Sequence, residues 1–177
     1  MPLKPAKRYT AGTDVLPPPP PGWASYAAVM QLALENARQA AAVGEAPVGA
    51  VLLSAQGDVL ARAGNAPISS ADPTAHAELL VIRQAAASIG NYRLLDTTLV
   101  VTLEPCLMCL GAIVHARVGL LVYGAPDPRT GAVSSQLCGP DLSFLNHRFD
   151  VVAGVLAEDC GTLLRDFFRS RRGRQKT

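Results

Sequence analysis

The chain has 177 residues, 49% of them hydrophobic and 17% charged, which predicts one globular domain and excludes a wholly disordered protein. No apolar run approaches the roughly 18 residues of a membrane span, and no apolar stretch follows Lys4, Lys7 and Arg8, so a secretory signal is not expected. Of the charged residues, seven basic and thirteen acidic ones lie within 9–164, and nine cations lie at the ends. The basic C-terminal run predicts an anionic contact there or, alternatively, a solvated tail.

Five consecutive prolines close the segment 1–22, and they predict an extended or disordered proline-rich N-terminal extension. Ser25 is the expected cap of an amphipathic helix that ends near Gly44. Two apolar runs, at 48–53 and 59–63, flank a short turn and predict a β-hairpin.

The next helix is predicted to begin at Pro73, with Asp72 as its N-cap, and to run to about Ala87. His76 and Glu78 lie two residues apart in this segment, so in the middle of a helix they would point about 200° away from each other. The two side chains can therefore meet at one site only if that site lies at the start of the helix.

The second half of the chain alternates strands and helices. A buried strand is predicted at 97–103, and the turn after it starts a helix that leads to a further strand at 118–123. A strand, short helix and strand of this length predict a right-handed parallel crossover. After a long loop, a last strand at 149–156 and a last helix at 158–172 complete an α/β fold, with a mixed sheet of about five strands flanked by helices.

One pattern carries the chemistry. His76 and Glu78 form an H-x-E motif, and thirty residues after the histidine Cys106 and Cys109 form P-C-x-x-C. One imidazole and two thiolates supply three protein ligands to one Zn²⁺ and leave its fourth tetrahedral position open, as in catalytic zinc sites. The start of the second helix favours thiolates at the two cysteines. This combined signature is typical of zinc-dependent nucleobase deaminases.

Glu78 is the predicted catalytic residue. Zinc lowers the pKa of a bound water from about 16 towards 7, and Glu78 would pass the proton of that water to the substrate. The alternative is a structural zinc with a fourth protein ligand, for which the candidates are His115, His147, Cys138 and Cys160. Because metal-binding thiols need a reducing compartment, we expect a cytoplasmic protein.

With these motifs, the sequence resembles the bacterial tRNA adenosine deaminases from about Ser25 to Arg172. The resemblance includes the zinc signature and further stretches: Gly64-Asn65, Asp72 to Glu78, Asn91 to Leu94, Val101 to Cys106, Met108-Cys109, Thr130-Gly131, Asn146 to Arg148 and Asp166 to Arg169. The long proline-rich start departs from that family. We therefore predict three parts of the chain: an extension at 1–22, a zinc-dependent deaminase domain at 23–172 and a basic tail at 173–177.

The resemblance implies a three-layer cytidine deaminase-like fold and a homodimer with substrate loops shared across the interface. It implies deamination of the wobble adenosine to inosine in the anticodon loop of an arginine tRNA. It also implies that Asn65 binds the target nucleoside, that Pro47 and Val48 line the base pocket, and that Asp127 and Phe168 contact neighbouring nucleotides.

Two other functions remain open at this point. The same fold and zinc motif serve deaminases of free bases or nucleosides of the guanine or cytosine type, although a small substrate would not need the basic tail. A non-catalytic, zinc-stabilised RNA-binding module would bind tRNA but release no ammonia, and it would leave Glu78 without a role.

Overall fold

The computed structural model describes the backbone of residues 5–174 and the side chains of residues 5–172. Its strands are β1 (Arg8–Thr10), β2 (Gly49–Leu53), β3 (Val59–Gly64), β4 (Thr98–Leu103), β5 (Leu120–Ala125) and β6 (Asp150–Ala153). Its helices are α1 (Tyr26–Ala42), α2 (Ala77–Ile89), α3 (Leu107–Ala116) and α4 (Ala157–Arg174). Among these described residues, no helix is long and apolar enough to cross a membrane.

The strands form one mixed sheet in the order β1-β6-β5-β4-β2-β3. The predicted hairpin is present, since β2 pairs antiparallel with β3, and β2 also pairs antiparallel with β4. The predicted crossover is present as well, because α3 connects the parallel strands β4 and β5. The α/β class and the mixed sheet are confirmed, with six strands where about five were expected.

The additional strand comes from the N-terminal extension, where we predicted an extended or disordered segment. Strand β1 pairs parallel with β6 at the edge of the sheet. The prolines that follow it pack onto the domain, since the Tyr26 hydroxyl donates to the Pro18 carbonyl oxygen at 3.0 Å. The indole of Trp23 also donates to the Gly57 carbonyl at 2.8 Å. The polyproline composition gave no sign of the partner strand.

Alternating side chains of the central strands enter two separate cores. On one face of the sheet, Leu52, Leu99 and Leu121 pack with α2 and α3. On the other face, the intervening residues Val51, Val100, Val122 and Val152 pack with α1 and α4. Because these central strands are buried on both faces, their sequences are continuous apolar runs. The helices form one layer on each side of the sheet.

Several predicted boundaries change, and the last strand, predicted at 149–156, is only Asp150–Ala153. Helix α2 begins at Ala77 and not at Pro73, because His76 has an extended backbone. The Asp72 carboxylate does accept from the amide and hydroxyl of Thr74 as a cap would, but it closes only a separate turn. At the other end, α4 runs through Arg174, so the first two residues of the predicted tail are helical. The rest of that tail, 175–177, lies outside the described residues, as do residues 1–4.

Candidate active site

Two helix starts hold the predicted metal ligands. His76 is the N-cap residue of α2 and Cys106 is the N-cap residue of α3, both with extended backbone angles. Cys109 lies one turn into α3 and is fully buried. The late start of α2 is what allows His76 and Glu78 to reach one site, because the residue before the helix is free of the helical 100° step.

The spacing of the three ligand atoms matches a tetrahedral zinc site. The His76 Nδ1 atom lies 3.8 Å from Cys106 Sγ and 3.5 Å from Cys109 Sγ, and the two sulfur atoms are 3.7 Å apart. With Zn–S near 2.3 Å and Zn–N near 2.05 Å, a tetrahedral ion separates its sulfurs by about 3.8 Å and sulfur from nitrogen by about 3.6 Å. The side chains therefore fit Zn²⁺ without rearrangement.

The pKa shifts of the two cysteines and His76 also favour a metal cation between these side chains. Their close contact lowers the pKa of the Cys106 thiol to about 4 and raises the pKa of Cys109, because one proton shared between the two sulfurs stabilises a single thiolate. The hydrogen bond to Cys106 raises the pKa of His76 against the opposing effect of burial. Two thiolates this close repel each other unless a positive ion lies between them, and a divalent metal supplies that charge.

Glu78 is buried, with 3% of its surface exposed. Burial raises the pKa of this carboxyl group, and the nearby His76 offsets only part of that effect. Among the described residues, Glu78 Oε2 is the one buried side-chain oxygen or nitrogen atom without a hydrogen-bond partner. An unpaired buried carboxylate oxygen costs folding free energy, so this atom is expected to serve chemistry at the cavity that it lines.

Among residues 5–172, whose side chains the structure describes, no fourth protein ligand joins the group. Within the described part of the chain, His76, Cys106 and Cys109 form the one cluster of potential ligands with metal-binding spacing. His147 Nε2 donates to the Val118 carbonyl oxygen at 2.7 Å, and Cys160 packs in the opposite core with α1. The open coordination of a catalytic site is thus supported over a structural zinc.

A cavity of about 990 Å³ extends from the metal ligands to α4. Four of the five residues predicted to bind substrate line it: Val48, Asn65, Asp127 and Phe168. Pro47 is buried and does not line the cavity, whereas the preceding residue Ala46 does.

Asn65 has a structural contact that the sequence did not reveal. Its amide oxygen accepts a hydrogen bond from the Ala77 amide at 2.8 Å, and Ala77 lies between the metal ligand His76 and Glu78. This contact satisfies one of the free N–H groups at the start of α2. The NH₂ group of the same side chain is left to face the cavity as a donor.

Glu104, in the turn between β4 and the metal ligand Cys106, holds a loop beside the cavity. It is 2% exposed, and its Oε1 atom accepts from the amides of Val133, Ser134 and Ser135. Its Oε2 atom accepts from the Asp127 amide at 3.0 Å. Burial alone would raise the pKa of Glu104, but the hydrogen bonds, first of all those from Ser135, outweigh it and lower the pKa. The sequence did contain one indication of this role, because Glu104 is a charged residue that lies between a buried strand and the metal ligand Cys106.

Glu45 holds a second loop in the same way. It is 1% exposed, and its carboxylate accepts from the amides of Ile68 and Ser69 at 3.3 and 2.7 Å. The loop that these amides belong to leads from Asn65 to His76. Burial opposes these hydrogen bonds, which nevertheless lower the pKa of Glu45. No periodicity or motif distinguished this residue in the sequence.

Helix α4 forms a basic wall of the cavity. Arg165, Arg169 and Arg172 line it together with Phe168, which is 44% exposed and packs edge-on against Phe167. Arg165 pairs with Glu158 and Arg169 with Asp166, both on the exposed helix surface. Surface pairs of this kind are weak, so these guanidinium groups remain able to exchange partners.

Arg171 has a different role from its neighbours in the basic run. It donates to the Gly44 carbonyl oxygen, and its guanidinium lies 4.7 Å from the centroid of the Phe167 ring. These contacts connect the end of α4 to the loop after α1. Arg171 therefore stabilises the fold, whereas Arg169 and Arg172 line the cavity. The sequence alone did not distinguish these two roles.

Comparisons with known proteins agree with this geometry. Residues 24–125 match the family described as the cytidine and deoxycytidylate deaminase zinc-binding region. A tRNA-specific adenosine deaminase of Haemophilus influenzae is 49% identical over 84% of this chain and 86% of its own length. A solved tRNA:A34 deaminase, which edits A to I at the wobble position of transfer RNA, is 44% identical over 77% of this chain and 99% of its own, with a TM-score of 0.75. A guanine deaminase from Nitrosomonas europaea is 26% identical over 86% of this chain and 93% of its own, with a TM-score of 0.70.

Proposed function

This chain belongs to the cytidine and deoxycytidylate deaminase family, and we propose that it hydrolytically deaminates the wobble adenosine of tRNA to inosine. The observation that carries the proposal is the continuity of one cavity from the His76, Cys106 and Cys109 cluster to the arginine-lined face of α4. A free base would occupy only the metal end of that cavity. A loop of RNA presents a base to the metal end and phosphates to the arginines.

The residues supply the steps of the reaction as follows. His76, Cys106 and Cys109 would hold the zinc ion, which would supply a Lewis acid that makes water nucleophilic at neutral pH. Glu78 accepts a proton from the attacking water and delivers it to the ring nitrogen of adenine. The water oxygen forms a bond to C6, and Glu78 then takes the remaining proton of that oxygen and passes it to the amino nitrogen. The bond from C6 to that nitrogen breaks, so that ammonia leaves and the oxygen stays as the carbonyl of inosine. A carboxyl group with a raised pKa suits both acceptance and donation of a proton.

The function is tested with a tRNA anticodon stem-loop carrying adenosine at the wobble position. Purified protein is expected to release ammonia and form inosine from it, with an arginine tRNA as the expected natural substrate. The controls are the same stem-loop with guanosine at that position, and free adenine, guanine and cytosine. Ammonia from free guanine or cytosine alone would establish the base-deaminase alternative, and binding without ammonia would establish the RNA-binding module.

Asn65 is predicted to contact the flipped nucleoside. Replacing it with alanine should slow editing about fivefold, since a hydrogen bond is worth on the order of 1 kcal/mol, and should leave the zinc content unchanged. Asn65→Asp is the matched variant, because it keeps an oxygen for the Ala77 amide and removes the NH₂ donor. Equal loss in both variants supports the nucleoside contact, and normal editing by Asn65→Asp would limit Asn65 to its contact with α2.

The target base is expected to be taken from a loop. Adenosine in a hairpin loop is already partly unstacked, so moving it into the cavity costs less than the few kcal/mol needed to extract a paired base. The same adenosine placed inside a duplex should therefore be edited more slowly than in the loop. Equal rates would contradict loop recognition.

The arginines of α4 are predicted to contact RNA phosphates. In Arg169→Gln/Arg172→Gln, the slope of log affinity against log salt should flatten by about 0.7 per lost contact, or about 1.4 in total. Substitution is preferable to truncation after Phe168, because truncation would also remove the contacts of Arg171 with the fold. Arg62→Gln on the edge strand β3 is the control, since Arg62 does not line the cavity. Superimposable salt plots would show that this end of α4 is only a solvated surface.

We also propose that the enzyme is a cytoplasmic homodimer. Leu107 and Met108, directly beside the metal ligand Cys106, are 61% and 36% exposed, which favours burial against another copy of the chain. Sedimentation analysis is expected to give twice the chain mass, and Leu107→Glu should shift the protein toward monomer. A cytoplasmic location fits both a tRNA substrate and two cysteines that must stay reduced.

A further inference from the structure

The N-terminal extension reaches a loop of the active site through Arg8. This residue lies on β1, before the residues that match the deaminase family. Its Nη1 atom donates to the Val133 carbonyl oxygen at 3.2 Å and lies 3.3 Å from Ser134 Oγ. Its Nη2 atom donates to Asp141 Oδ2 at 2.8 Å. One guanidinium thus joins three points of the loop that follows β5.

Glu104 holds the same short segment from the opposite side. The carboxylate of Glu104 accepts the amides of residues 133–135, whereas Arg8 takes the carbonyl oxygen and the hydroxyl of two of them. The other oxygen of Glu104 accepts the Asp127 amide at the edge of the cavity. The segment is therefore fixed between Glu104, in the turn after β4, and Arg8, on strand β1 of the extension.

The loop is also tied directly to the metal site. Gly131 forms a bridge with Cys106, and the Ala132 amide donates to the Pro105 carbonyl oxygen at 2.9 Å. A Cβ atom at Gly131 would lie 2.4 Å from the Glu104 carboxyl carbon, so loop and carboxylate are in close contact. A displacement at residues 133–135 would be passed to Asp127 at one end of this loop and to Cys106 beside it.

We propose that Arg8 is a positioning residue that makes the N-terminal extension part of the active site. By fixing residues 133–135 from the side opposite Glu104, it holds the cavity-lining turn at Asp127 in place for the substrate. The effect on substrate rests on the proposed function, whereas the effect on the loop does not. The guanidinium suits this task, because its planar fork donates in several directions at once and a lysine ammonium does not reproduce that geometry.

Lys7 provides the matched control for a simple effect of charge. It carries the same charge one residue away, and its described hydrogen bond, to Asp150 Oδ1 at 2.8 Å, is made by the backbone amide. If Arg8 acted by attracting RNA phosphates, Lys7→Gln and Arg8→Gln would weaken binding alike and flatten its salt dependence. If Arg8 instead holds the loop, Arg8→Gln should loosen residues 133–135 and Lys7→Gln should not.

Hydrogen exchange of the full-length chain tests the loop directly. In Arg8→Gln, the amides of residues 133–135 should exchange about tenfold faster, as expected for the loss of hydrogen bonds that hold a local segment. Lys7→Gln should leave them unchanged. Arg8→Lys keeps a cation for Asp141 but loses the second arm of the fork, so its exchange should resemble that of Arg8→Gln. Unchanged protection in Arg8→Gln, or full protection in Arg8→Lys, would overturn the proposal.

Kinetics on the wobble-adenosine stem-loop test the consequence for substrate. Arg8→Gln should raise KM about fivefold and leave kcat within about twofold, because a displaced binding loop weakens ground state and transition state alike. Its salt slope should equal that of the unchanged protein. A normal KM with a faster-exchanging loop would refute the positioning role. If the unchanged protein does not deaminate the stem-loop, the proposed function fails, and the exchange data alone decide whether Arg8 holds the loop.

Discussion

Replacing Glu78 with glutamine is expected to lower the rate of deamination by at least ~10²–10⁴-fold, the range for a group that acts as both general base and general acid. Glutamine has nearly the same shape, but its amide cannot accept and return a proton. The metal ligands are untouched, so zinc content should remain at one ion per chain. The measurement is single-turnover formation of inosine on the anticodon stem-loop, together with metal analysis of the same sample.

Stability separates a catalytic from a structural role for Glu78. A buried carboxylate with an unpaired Oε2 atom is a cost to the fold, so the neutral amide should leave the melting temperature equal or higher. Glu78→Ala should likewise keep the zinc and lose activity. Loss of zinc from either variant would show that Glu78 is a ligand, and near-normal turnover would show that the proton is carried by another group.

The spacing of the motif predicted the metal cluster and the requirement that it lie at a helix start. That argument was geometric: His76 and Glu78 cannot share a face in mid-helix, and the structure meets the condition by starting α2 at Ala77. The start itself was misplaced at Pro73, because Asp72 and Pro73 form a good cap in sequence. Asp72 does cap a turn through Thr74, but the extended backbone of His76 separates that turn from the helix, and no local pattern in the sequence indicates this break.

The residues that sequence reasoning missed act on backbone groups far away in the chain. Glu45 binds amides 23 and 24 residues later, and Glu104 binds amides about 30 residues later. No local pattern encodes such partners, since any loop amide presents the same N–H group. Strand β1 was missed for a related reason. It has only three residues and is ordered by its pairing with β6. The first contact between the two segments, from the Lys7 amide to Asp150, spans 143 residues of the chain.

Loss of a zinc ligand is expected to abolish the reaction. In Cys109→Ser and in Cys106→Ser the metal site keeps only one thiolate and one imidazole, and zinc should be lost. Activity should fall by roughly 10³-fold or more, because a Lewis-acid metal contributes several kcal/mol to such a reaction. The readouts are metal content and ammonia release, measured on the same preparation before and after addition of Zn²⁺.

The two remaining cysteines are the natural controls for that experiment. Cys138 is exposed, and Cys160 is buried in the other core, where burial raises the pKa of its thiol to about 12. Serine at either position should therefore leave zinc content unchanged. X-ray absorption of the zinc-loaded chain should show two sulfurs at about 2.3 Å and one protein nitrogen at about 2.0–2.1 Å. A third sulfur or a second histidine in that shell would close the site and contradict the proposed deamination, because a metal without an open position cannot take part in it.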